Sequence, residues 1–182
     1  MRHFDSGGPA TIFDMLTHTI ATSPDAMKSS DVAEILACIE AFEMFSGLDG
    51  VALRALATHL ILCDYAEGDV IFREGERGDW MGFLVSGEIR IQKEAGGRDS
   101  RVVSIESRAR SIGEMALIDN EPRSATCIAL RPARLLILSK THFERMATER
   151  PAVALSVILP VARLLSRRLR MTSGRLVEFL EE

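Results

Sequence analysis

The chain has 182 residues, 22 of them Lys or Arg against 26 Asp or Glu, for a net charge of −4, and 47% of it is apolar. This balance excludes a disordered chain and one built to coat nucleic acid, and the length suits one domain with terminal extensions rather than two large domains. Cys38, Cys63 and Cys127 stand far apart without a C-x-x-C pair, so neither a disulfide framework nor a zinc site is signalled; they are expected as small buried apolar residues. Asp5, Gly7, Gly8 and Pro9 interrupt the start where a signal peptide needs an apolar stretch. No run approaches the roughly 18 apolar residues of a membrane span, and the reading is a cytoplasmic protein.

Residues 1–30 read as an N-terminal extension, partly helical or disordered, with Ile12, Leu16 and Ile20 at the spacing of one short amphipathic helix. From Asp31 to Phe45 the positions Val32, Ile35, Leu36, Ile39, Phe42 and Phe45 recur at three and four, and Ser30 or Asp31 is placed to cap that helix. A second helical pattern runs from Gly50 to Leu62, with Leu53, Leu56, Ala57 and Leu60 as its buried stripe.

At Cys63 the texture changes to short apolar runs cut by glycine: YAEGDVIF, MGFLVSGEIRIQK, RVVSI, TCIAL and ARLLILS. Such runs indicate antiparallel strands, with Ser86-Gly87 and Gly96-Gly97 as tight turns. About eight short strands between two helical segments fit a jelly-roll-like β-barrel, closed so that few edges remain exposed. The fold class is therefore α+β, mainly β, with helices at 31–62, a β-roll at 63–138 and C-terminal helices at 139–182. In the last segment Ser139 or Thr141 caps a helix, Pro151 suits the first turn of the next, and Pro160 should kink that helix or split it.

The segment that carries chemistry is IGEMALIDNEPRSATCIA, Ile112 to Ala129. A glycine, an acid and small Ala116 within the β-rich region suit one helical turn or a nest of backbone N–H groups. Nine residues after Glu114 comes Arg123, whose planar guanidinium can give two parallel hydrogen bonds to phosphate oxygens. Ser124 and Ala125 are small enough to admit a ligand to the backbone. The set offers a cation and N–H donors to a phosphodiester and a carboxylate to a sugar diol, the two groups that a cyclic nucleotide fuses on one rigid ring.

Ile112-Gly113-Glu114-Met115-Ala116-Leu117 followed by Arg123-Ser124-Ala125-Thr126 resembles the phosphate-binding cassette of the cyclic nucleotide-binding domain, the family of bacterial catabolite activators, protein kinase regulatory subunits and nucleotide-gated channels. Upstream, GDVIFREGERGDWMGFLVSGEI, with Gly68, Gly75, Gly78 and Gly87 in turns, resembles the first half of that family's β-roll, or double-stranded β-helix. The resemblance covers about residues 32 to 172, with the cassette at 112–126. It implies that Glu114 and the Gly113 N–H hold a ribose 2′-hydroxyl, and that Arg123 pairs with the exocyclic phosphate oxygens, assisted by Ala116 and Ser124. Met115 and Ala125 complete the implied site. Val103, Leu164, Arg167 and Arg168 are candidate contacts of a lid, the helix around Arg163 to Arg170, that would close over the base. The implied ligand is cAMP, with cGMP as the variant. No metal or further cofactor is implied.

Three departures stand out: Cys127 in place of a branched aliphatic, Gly82 within an apolar run, and RARS before the cassette, whose Arg108 and Arg110 could reach a larger ligand such as cyclic di-GMP. His3, His18, His59 and His142 have no metal-ligand spacing, and no nucleophile stands beside a base, so no enzyme is indicated. The basic residues Arg163, Arg167, Arg168, Arg170 and Arg175 read as a solvated helix face rather than a nucleic-acid patch. With the sequence ending at Glu182, no helix-turn-helix is expected after the last helix, and hence neither direct DNA binding nor membrane association. The expected partners are the nucleotide and an effector protein or a second copy, through a seam of Leu165, Leu169, Leu176 and Leu180. The rival reading of Glu114 and Arg123 is a structural ion pair in a domain whose site is vestigial.

Overall fold

The computed structural model describes residues 29–95, 99–107 and 110–180. The predicted N-terminal helix and the Gly96-Gly97 turn lie outside these residues.

Helix α1, Ser29–Glu40, starts before the predicted cap, so Ser30 and Asp31 lie in its first turn. It drives Ile35 and Ile39 into the core. It also stops earlier than the apolar spacing predicts. Ala41 and Phe42 donate to the carbonyls of Cys38 and Ile39, three residues back, and the chain passes into a 3-10 turn at Glu43–Phe45. That tightening lets Phe42 and Phe45 both point inward, where they meet Phe83 at ring-centroid distances of 6.0 and 5.3 Å. Helix α2, Gly50–Ala57, is capped by Asp49, whose carboxylate accepts from the N–H groups of Val51 and Ala52.

The expected extension of α2 to Leu62 does not occur. Leu60 opens a strand, because Leu60, Ile61 and Leu62 pair instead with Leu138, Ile137 and Leu136 of the leucine-rich strand near the end of the roll. The strands are β1 Leu60–Tyr65, β2 Val70–Phe72, β3 Trp80–Ser86, β4 Ile89–Ala95, β5 Asp99–Glu106, β6 Ser111–Ile112, β7 Thr126–Ala129 and β8 Ala133–Ser139. They form two four-stranded antiparallel sheets, ordered β1-β8-β3-β6 and β2-β7-β4-β5. The jelly-roll class is as expected. Full closure is not: among the described residues the two sheets stay separate, each with two edge strands.

Strands β3 and β8 are apolar on both faces, and their alternation explains why. Trp80, Leu84, Leu135 and Ile137 fill the space between the sheets, while Met81, Phe83, Leu136 and Leu138 join the helices in a second core. Gly82 falls on the inter-sheet face of β3, where an added Cβ would come within 3.3 Å of Ile137. The glycine within the run thus leaves room for the side chains of Ile137, Leu135 and Trp80 of its own sheet. Cys127 is buried in the same inter-sheet core, whereas Cys38 and Cys63 are only half-buried.

Short helix α3, Glu114–Asp119, sits between β6 and β7. Helix α4, Lys140–Glu149, is capped by Ser139, which accepts from the His142 N–H at 3.1 Å. Helix α5, Pro151–Leu180, begins at the expected proline and continues through Pro160 as one helix rather than two. It is held by Val153, Ala154, Val157 and Val161, which enter the helical core.

Candidate functional site

Two turns of backbone place the cassette. Gly113 adopts φ +69° ahead of α3, a conformation open to glycine at no steric cost, and an added Cβ would lie 2.2 Å from Arg123 Nη1. The loop before β3 clasps the loop before β7: Arg123 N–H donates to the Glu76 carbonyl over 2.8 Å, and Gly75 N–H to the Arg123 carbonyl over 2.9 Å. Gly78, in the same clasp, lies where a Cβ would be 2.4 Å from Ala116 and 2.9 Å from Arg123 Nε. The glycines of this loop therefore serve the site as well as the turn.

Arg123 is only 3% exposed. Its Nη1 donates to the Gly113 carbonyl at 2.9 Å. The guanidinium carbon lies 4.2 Å from the Phe72 ring centroid and 4.5 Å from that of Trp80, so two aromatic faces receive the charge. Nε and Nη2 make no hydrogen bond within the chain. Burial pulls the Arg123 pKa down, and the carboxylate of Asp79 is the first of the groups opposing it.

Glu114 is the first residue of α3 and is 2% exposed. Its Oε1 accepts from Arg168 Nη1 at 2.7 Å, while Oε2, also buried, makes no hydrogen bond within the chain. Burial raises its pKa and Arg168 opposes the rise. Glu114 and Arg123 do not pair with one another: each is engaged by another group of the protein. The structural ion pair that was the rival reading is absent. The geometry instead leaves a buried cation with two unengaged donor groups and a buried acid with one unengaged acceptor, suited to a ligand with an anionic group and a hydroxyl.

The other predicted residues divide. Ala116 is buried beside Arg123, and Ala125 is half-buried. Ser124 is exposed and its hydroxyl contacts Met115 Sδ at 3.6 Å. Arg168 is half-buried and donates to Glu114. Leu164 is half-buried, Arg167 is exposed, and Val103 is exposed on edge strand β5. Arg110 turns to Glu106 at 3.7 Å, and Arg108 lies outside the described residues. Within the proposed helical seam, Leu165 packs against the helical core while Leu169 is exposed, so the two do not form one outward face. Phe72, Trp80 and Glu106, which accepts from Arg168 Nη2 at 3.3 Å, were not singled out from sequence. Trp80, the single tryptophan of the chain, was the one available signal.

A two-sheet jelly roll with a short helix and buried arginine between its strands defines a ligand-binding domain. Residues 62–150 match the cyclic nucleotide-binding domain, and the chain carries a domain of that family. It is 26% identical over 137 residues to the CRP-like cAMP-activated global transcriptional regulator of Mycobacterium tuberculosis, covering 75% of this chain and 59% of that protein. The Thermus thermophilus catabolite activator protein is similar in structure, with TM-score 0.64 and 28% identity over 73% of this chain and 61% of that one. A cyclic nucleotide-binding domain from Methylobacillus flagellatus has the same fold, with TM-score 0.70 and 24% identity over 80% and 82% of the two chains. The chain thus spans about three-fifths of the curated relative it matches. No helix among the described residues is long and apolar enough to cross a membrane.

Proposed function

We propose that the chain is a non-catalytic receptor module for a cyclic nucleotide, cAMP in preference to cGMP, that signals by rearranging its C-terminal helices. The observation that carries this reading is the buried guanidinium of Arg123 with Nε and Nη2 unengaged, in the same cassette as a buried carboxylate with one oxygen unengaged. Unpartnered buried polar groups are costly, and a ligand bearing phosphate oxygens and a ribose hydroxyl would satisfy both. In this reading Arg123 takes the cyclic phosphate with Ala116 and Ser124, and Glu114 with Gly113 takes the ribose. Met115 and Ala125 border the ligand. Arg167, Leu164 and Val103 are assigned to its base only if α5 and β5 move toward it. The preference for cAMP rests on similarity to the cAMP-activated regulator named above and to the cAMP-dependent protein kinase regulatory subunit of Mycosarcoma maydis, 28% identical over 136 residues.

A second reading, an interaction or dimerisation protein with a vestigial site, is favoured by the exposed Leu155, Leu159, Leu169 and Met171 of α5. Isothermal titration of the folded protein with cAMP and with cGMP separates the two. Micromolar or tighter binding supports the receptor; no binding of either overturns it. Light scattering with and without ligand then reads whether assembly through α5 responds.

A further inference from the structure

Both poles of the proposed site are held by the protein's own groups. Arg123 gives Nη1 to the Gly113 carbonyl, and Glu114 takes Nη1 of Arg168. At 2% exposure Glu114 has no open side from which a sugar could approach. We propose that Arg168 is an autoinhibitory latch, an N–H donor standing on Glu114 in place of a ribose hydroxyl, which the ligand must expel together with the second half of α5. The proposal rests on the cyclic nucleotide reading of the cassette.

The attachments of α5 favour this division of the helix. Its buried residues, Val153, Ala154, Val157 and Val161, all lie in the first half. From residue 162 to residue 174 no side chain is buried. Arg168 is therefore the polar tether of that half, and it is anchored twice, at Glu114 on α3 and at Glu106 on β5. Among the described basic side chains of α5, Arg163, Arg167 and Arg170 meet no carboxylate, so the pairing is a property of one position. Pro160 stands at the junction, where the missing N–H removes one helical hydrogen bond and makes bending there easier. Removing Arg168 from Glu114 and Glu106 thus takes away the polar anchors of the outer half of α5 and leaves it the packing of half-buried Leu165, while the inner half stays in the core.

The test measures cAMP binding by calorimetry, and amide exchange of residues 162–174 without ligand, in the full chain and in Arg168→Ala, Arg168→Lys and Glu106→Gln. A latch that competes with ligand predicts that Arg168→Ala binds about tenfold tighter than wild type, since a larger fraction of molecules is binding-competent. Glu106→Gln, which loosens the arginine without touching the sugar position, should move affinity the same way by a smaller factor, and Arg168→Lys should lie between. Exchange of 162–174 should be about tenfold faster in ligand-free Arg168→Ala. Weaker or unchanged affinity in Arg168→Ala, with wild type binding, overturns the latch and leaves the receptor reading intact. If no protein binds cAMP or cGMP, the receptor reading fails. Exchange then decides the tether by itself: faster exchange supports it, and unchanged exchange overturns it.

Discussion

His59 and His142 face each other edge to face, with ring centroids 5.9 Å apart, at the point where α4 packs against the start of the β-roll. Arg145 Nη2 lies 3.5 Å from His59 Nδ1. Burial lowers both pKa values from the usual 6.5, and Arg145 lowers them further; Arg150 adds to the effect on His59 and Glu149 opposes it.

The sign of the pH dependence follows. Because the folded-state values are depressed, the unfolded chain takes up protons first as pH falls. The contribution to stability is present above the unfolded value near 6.5 and is lost as pH falls toward the folded values. Urea denaturation at about pH 7.5 and about pH 5.5 should show a fall in stability that is smaller in His142→Gln, which cannot titrate. An equal fall in both proteins would remove His142 as its source.

Arg123→Met should separate binding from folding. The buried guanidinium has two groups without partners, and its stem and face already lie against Phe72 and Trp80, so a flexible apolar side chain can occupy the same space. Thermal denaturation should place the variant within about 3 °C of wild type or above it, on a scale of roughly 2–4 °C per kcal/mol. Calorimetry should find cAMP affinity reduced by about 100-fold or more, the loss of two charge-assisted hydrogen bonds of at least about 1.5 kcal/mol each.

Gly78→Ala should damage both properties. Its Cβ would collide with the Cβ of Ala116 and press on Arg123, and the backbone of the clasp resists retreat because it is hydrogen-bonded to the Arg123 backbone on both sides. An overpacking cost of about 2 kcal/mol is expected. It should appear as a loss of roughly 4–8 °C in melting temperature. Affinity for cAMP should weaken by about tenfold, as the cassette helix shifts away from Arg123.

Phe45→Ala tests the helical core. Phe45 is 2% exposed and packs against both Phe42 and Phe83, joining the 3-10 turn to β3. Truncation should cost about 3–5 kcal/mol, and denaturant titration should report it as a lower midpoint. A cost below about 1 kcal/mol would mean that the neighbouring rings collapse into the space.

The order of elements and the jelly-roll class were legible because they depend on local pattern, alternation and glycine for strands; the candidate site was read from a glycine, acid and arginine at short spacing. Boundaries were less so. Leu60 to Leu62 continue a helical period, yet they pair with Leu138, Ile137 and Leu136, and cross-strand pairing overrode the period. Pro160 suggested a break, but Val157 and Val161 on either side of it are buried in one core and hold the helix together.

The sequence by itself determined that Glu114 and Arg123 lie nine residues apart in a single segment of the chain. Their present partners were decided only by the tertiary structure. Phe72, Trp80, Glu106 and Arg168 come from three strands and the last helix, and Arg168 meets Glu114 from 54 residues away. No period or spacing encodes that meeting. It arises because the first half of α5 is buried in the helical core, which carries the next turns of the helix across the cassette.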